Sequence, residues 1–165
     1  MSADLIGRFK VMYAMQMRNT NLIVKSMPLY SKYDLEVYEQ GKPETKVYIE
    51  VKDRDNTEDR YPTAFLNIEK YEEAKDIANK WFFCNVYTDG KIDLWKPYEM
   101  PQSGITEETK LIAKTTVKKG EKIPQKRYCL NFNDKCKQLI NKLQITLIDD
   151  QDGSGREDIS HRTTS

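Results

Sequence analysis

Apolar and polar positions alternate along this chain with two distinct periods. Residues 3–17 place Leu5, Ile6, Phe9, Met12, Tyr13 and Met17 at helical spacing, which predicts an amphipathic helix with that stripe turned inward. Asn19-Thr20-Asn21 breaks it, and residues 22–26 read as a short apolar strand that Pro28 ends. The period then changes to two. Residues 34–39 alternate Leu35 and Val37 against Asp34, Glu36 and Tyr38. Residues 46–52 alternate Val47, Ile49 and Val51 against Tyr48, Glu50 and Lys52. Between them, residues 40–44 carry the glycine and proline of a turn, so the pair predicts a β-hairpin.

Asn67 is a good N-cap for a second helix over residues 68–80, with Ile68, Tyr71, Ala74, Ile77, Ala78 and Trp81 inward. Residues 81–88 and 91–96 read as strands around Asp89-Gly90, a type I′ turn signal. A loop over residues 97–104 leads to a further strand pair, 109–118 and 126–132, joined by a basic connection. Asn133 or Asp134 caps a closing helix through Lys142 or just beyond, with Cys136, Leu139, Ile140 and Leu143 inward. Residues 149–165 are poor in apolar side chains and predict a disordered polar tail, leaving one domain over residues 1–148.

The hairpin carries the candidate chemistry. Folded symmetrically about Lys42, it sets Tyr38 against Lys46, Glu36 against Tyr48 and Asp34 against Glu50. Lys52 lies one pleat beyond Glu50 on the same face. Two carboxylates so placed, ~5 Å apart, repel by roughly 3 kcal/mol at an effective dielectric of about 20. Lys52 or a hard divalent ion would offset that, and a plain solvated hairpin face is the other reading.

Asp34 followed after a short gap by Glu50-Val51-Lys52 resembles the PD-(D/E)XK nuclease superfamily, over roughly residues 33–97; Tyr33 stands where the motif's name has proline. The resemblance implies an α/β (α+β) fold: a central mixed β-sheet flanked by helices, with a restriction-endonuclease-like αβββαβ core. The last strand pair and the C-terminal helix would be additions. It further implies a metal-dependent deoxyribonuclease in which Asp34, Glu50 and the Val51 carbonyl hold Mg²⁺ (or Mn²⁺). Lys52 would complete the catalytic set. The alternative is a non-catalytic domain of that fold which binds nucleic acid or a protein.

Arg54 and Arg60, in the charge run over residues 53–60, and Lys70 are candidate contacts for the backbone of DNA (or RNA), as is the basic region 114–126; a solvated loop and a surface lysine are the plainer readings. Composition adds bounds. A net charge of +1, with 32% charged residues, exerts no global pull toward nucleic acid. No apolar run is long enough to span a membrane, and the N-terminus lacks a signal-peptide pattern. The three cysteines, Cys84, Cys129 and Cys136, predict reduced thiols in a cytoplasmic setting. The one histidine, His161, lies in the tail, which removes histidine-based nucleophilic and zinc chemistries from the domain. A homodimer, and a protein partner recruited through the tail, are both compatible with the sequence.

Overall fold

A computed structural model describes residues 3–113, 124–137 and 140–144. Helix α1 (Ala3–Arg18) leads into a meander of β1 (Leu22–Ser26), β2 (Leu35–Glu39) and β3 (Lys42–Asp53). Strand β4 (Ala64–Asn67), helix α2 (Ile68–Glu73) and a 3₁₀ segment (Lys75–Lys80) carry the chain across to β5 (Trp81–Val86). Strand β5 runs parallel to β3, and β6 (Lys91–Trp95) returns antiparallel to it. After two 3₁₀ turns come β7 (Ile105–Ala113), β8 (Pro124–Phe132), the short helix α3 (Asp134–Lys137) and β9 (Asn141–Gln144). The result is a mixed six-stranded sheet, order β1-β2-β3-β5-β6-β9, and a three-stranded sheet, order β4-β8-β7.

The central sheet separates two cores. One face packs Leu35, Val37, Ile49, Cys84, Val86 and Ile92 against Val11, Ala14 and Met15 of α1. The opposite face packs Trp81, Phe83 and Trp95 under β4 and the smaller sheet, through Leu66, Leu130 and Phe132. On that second side Tyr71 and Tyr98 stack with centroids 4.3 Å apart, and the Tyr98 hydroxyl donates to the Tyr71 carbonyl. Cys84, Cys129 and Cys136 are buried. No helix among the described residues is long and apolar enough to cross a membrane.

The hairpin register follows the alternation: Leu35 opposes Ile49, Glu36 opposes Tyr48 and Val37 opposes Val47. Beyond Val37 an irregularity shifts the pairing, so Glu39 meets Lys42 and the turn contracts to Gln40-Gly41. Thr45 makes this work, its hydroxyl oxygen accepting from the Glu39 N–H and donating to the Lys42 carbonyl.

Several expectations are corrected. Helix α1 buries Gly7, Arg8, Val11, Ala14 and Met15, while Ile6, Phe9, Tyr13 and Met17 stay 40–67% exposed. The small residues let the helix sit close: a Cβ on Gly7 would lie 3.3 Å from the Asp53 Cβ. The second helix ends at Glu73, and its continuation is 3₁₀ with non-helical angles at Ile77 (φ −120°, ψ 25°). The turn after β5 is not type I′, since only Gly90 has positive φ (81°) and Asp89 does not; Gly90 N–H donates to the Tyr87 carbonyl instead.

The expected C-terminal helix stops at Lys137, and residues 141–144 form strand β9 on the edge of β6. Pairing there satisfies a backbone edge that a short helix would have left open, while Leu143 still reaches the core. The added strand pair exists as β7 and β8, and β4, unanticipated, completes a sheet with it. The basic connection after β7 and the tail lie outside the described residues.

A row of polar residues, Lys52, Asn85, Asp93 and Lys142, crosses β3, β5, β6 and β9 at one level. Asp93 is fully buried beside Glu58; Glu58 Oε2 and both Asp93 oxygens are enclosed without meeting an N–H donor. Lys142 Nζ holds the other Glu58 oxygen at 2.7 Å. One proton between the two carboxyls joins Glu58 Oε2 to one Asp93 oxygen, and burial together with Glu58 pushes Asp93 up to about 7. A carboxyl whose folded pKa lies above its unfolded value stabilises the fold while protonated and loses that contribution as pH rises toward 7. Glu50, described below, gives a slope of the same sign. Asp93→Asn is therefore expected to flatten, without abolishing, the fall in stability between pH 5 and 8. Urea midpoints across that range check it, the difference being at most about 1.4 kcal/mol per pH unit for one proton.

Candidate functional site

Strand β3 is buried on one side through Ile49 and packs Val51 against the same core, so Glu50 and Lys52 alternate onto the other face. Asp34 reaches Glu50 from the start of β2. Its backbone N–H donates to the Ile49 carbonyl at 3.0 Å, and its Oδ2 accepts from the Val51 N–H at 2.8 Å. Asp34 thus holds β3 on both sides of Glu50.

Arg8 fixes the other Asp34 oxygen. Its Nη2 lies 2.5 Å from Oδ1, the two side chains being 4% and 17% exposed. Arg8 Nη1 also donates to the Met27 carbonyl at 2.6 Å and to the Ser26 hydroxyl at 3.3 Å. A buried guanidinium with these partners cross-links α1, the end of β1 and the start of β2. Sequence patterning missed it. Its only trace is an arginine among the small residues Gly7, Val11 and Ala14, on the side of the helix opposite the obvious apolar stripe.

Glu50 is the strained member. Burial and the Asp34 charge push its carboxyl up to about 7, while Lys70 and Arg8 pull it down. Lys70, from α2, sits 3.3 Å from Glu50 Oε1 and is 39% exposed. Lys52 is exposed, makes no ion pair among the described residues, and stands at the edge of a cleft of about 630 Å³. Tyr61, Phe65, Tyr87 and Glu58 also line that cleft.

The basic residues separate by role. Arg54 points inward: its Nε donates to Asn85 Oδ1 at 2.7 Å, Nη2 donates to the Phe65 carbonyl at 2.8 Å, and the group lies 4.5 Å over the Phe65 ring. Those bonds make it a tie between the sheet and β4. Arg60 is exposed and rests over its neighbour Tyr61. Lys70 is drawn to Glu50. Most of the basic region 114–126 lies outside the described residues.

The donor set accommodates a hard cation in one way. Among the described residues no group of three or more His, Cys, Asp or Glu side chains could hold a metal ion. An ion at this site would rest on Asp34 and Glu50 alone, completed by a backbone oxygen, water and substrate. Mg²⁺ favours such a sparse set. Burial, and after it the Asp34 charge, raises Glu50, and Lys70 is exposed enough to yield its place to an ion.

The Glu50 titration reads these contacts directly. Its midpoint, followed by carboxyl NMR, is expected near 7 in the wild type, lower in Asp34→Asn and higher in Lys70→Met. Identical midpoints in all three proteins would separate Glu50 from both neighbours.

Comparison of the chain with protein-family models, with curated proteins and with solved structures finds no match, so the geometry of its own residues carries the functional reading.

Proposed function

We propose that this chain is a metal-dependent nuclease hydrolysing phosphodiester bonds in DNA, with RNA as the second candidate substrate. One observation carries the reading. The Asp34 carboxylate is fastened to β3 at the Val51 N–H, burial and the Asp34 charge push Glu50 to about 7, and Lys52, without an ion pair among the described residues, stands exposed on the next outward position. With β4 of the smaller sheet set aside, the order of helix, antiparallel three-strand meander, helix and parallel strand supports a PD-(D/E)XK-like core around them. Tyr33, at the proline position, packs on Tyr48 with centroids 4.5 Å apart.

Asp34, Glu50 and the Val51 carbonyl are the ligands for Mg²⁺ or Mn²⁺ in this reading. When bound, such an ion lowers the pKa of water and offsets charge on the reacting phosphate. The chain's own groups do the rest. Arg8 and the Val51 N–H hold Asp34 in place. Lys70 moves off Glu50, and the Lys52 ammonium donates to the phosphate oxygens as their charge grows. Arg60, exposed on the loop after β3, contacts a backbone phosphate, while Arg54 shapes the wall of the cleft.

A second reading has its own support. Arg8 and Lys70 already pair with Asp34 and Glu50, which offsets the carboxylates without a metal and suits a non-catalytic domain that binds nucleic acid or protein.

Cleavage of plasmid and oligonucleotides with Mg²⁺ or Mn²⁺ separates the two. The wild type is expected to cleave, while Asp34→Asn, Glu50→Gln and Lys52→Ala lose cleavage. Lys52→Ala is expected to keep its melting temperature, because its side chain is exposed. Mn²⁺ at about 100 times its Kd should stabilise the wild type by roughly 2.7 kcal/mol, and Glu50→Ala far less. A Lys52→Ala protein as active as wild type would refute the assigned mechanism, and nucleic-acid binding with no cleavage would give the lead to the second reading.

A further inference from the structure

Residues 27–34 form a loop pinned at both ends. At its base the Met27 N–H donates to the Asp34 carbonyl at 2.8 Å, and Arg8 holds the Met27 carbonyl. At its tip the Ser31 N–H donates to the Pro28 carbonyl at 3.0 Å, closing a turn. Leu29 and Tyr30 are the central residues of that turn, 67% and 91% exposed. Lys32 follows, also exposed, and Tyr33 folds back against Tyr48, on the face of the sheet that carries Glu50.

Single exposed apolar residues are ordinary. Here a leucine and a tyrosine stand side by side on a fixed turn, where neither contributes to the core. The loop starts from Asp34 itself, so its tip lies within roughly 13 Å of that residue, four residues away at ~3.3 Å each. An aliphatic side chain, a π face and an ammonium, in that chain order, match an unpaired base and its phosphate. Successive bases of a single strand stack on exposed aromatic rings, and positive charge tracks the backbone. Fully paired duplex offers no free base face to such a platform.

We infer that the loop over residues 28–33 is a stacking platform, with Tyr30 against a base, Leu29 beside it and Lys32 on the phosphate. The substrate class is then single-stranded or locally unpaired nucleic acid, held beside the Asp34–Glu50–Lys52 site. This rests on the nucleic-acid reading above.

The full-length protein, with metal chelated to prevent cleavage, is titrated with a labelled single strand, the matching duplex, and a strand carrying 2-aminopurine. Tyr30→Ser combined with Leu29→Ser is expected to weaken single-strand binding about tenfold or more, the worth of one stacked base, and to abolish 2-aminopurine quenching. Duplex binding should change less than about twofold, and Tyr30→Phe should bind as wild type because its ring still stacks. The melting temperature should hold, since both side chains are in solvent. Equal loss on single strand and duplex, or no loss on either, overturns the platform while leaving the nuclease reading intact. A change in oligomeric state without a change in nucleic-acid binding makes the loop a protein contact and overturns it too. A wild type that binds no nucleic acid of any form overturns both.

Discussion

The contact between Arg8 and Asp34 joins the first helix to the hairpin, and much of the molecule is arranged around it. A buried ion pair is costly to desolvate and holds only where further hydrogen bonds complete it. Here most are made: Arg8 donates to Met27 and Ser26 and Asp34 accepts from the Val51 N–H, while the Arg8 Nε is enclosed without an acceptor among the described residues. To bring the guanidinium inside, α1 turns its small residues to the sheet and leaves Ile6, Phe9, Tyr13 and Met17 in solvent. The same pair acts on Glu50, whose carboxyl is driven up by burial first and then by the Asp34 charge, with Arg8 pulling the other way. Structural cross-link and site electrostatics are one device.

The two faces of the central sheet divide the work. The α1 face is an apolar core interrupted by Arg8. The other mixes large aromatics with a polar row, of which Asn85, Asp93 and Lys142 are tied to an element above the sheet. Arg54 binds Asn85 and the Phe65 carbonyl. Glu58 reaches both Asp93 and Lys142, anchoring the loop after β3 to the sheet. The cleft beside Lys52 therefore has walls fastened by buried polar contacts rather than by packing alone.

Chain segments with a strict period were legible without coordinates. The alternation through Leu35 and Val37, and through Val47, Ile49 and Val51, allows one register, because a slip by one residue would send every apolar side chain to the wrong face. That register placed Glu36 opposite Tyr48 and sent Glu50 and Lys52 to the face away from Ile49. Asp34 lies just outside the paired residues and reaches β3 through the Val51 N–H. Asn67 as a helix cap was equally readable, its side chain accepting from the Glu69 N–H. Short segments with mixed signals were not. Residues 141–144 continue a plausible helix pattern, yet the open edge of β6 claims them as a strand.

By itself, then, the sequence determined the hairpin, its register and the face shared by Glu50 and Lys52, since these follow from a two-residue period and a local turn. Tertiary structure decided which charges surround them. Arg8 meets Asp34 across 26 residues, and Lys70 meets Glu50 from a helix in a different layer. No periodicity encodes such meetings. They depend on how α1 is rotated on the sheet and where the kinked second helix ends, which are set by packing among residues far apart in the chain.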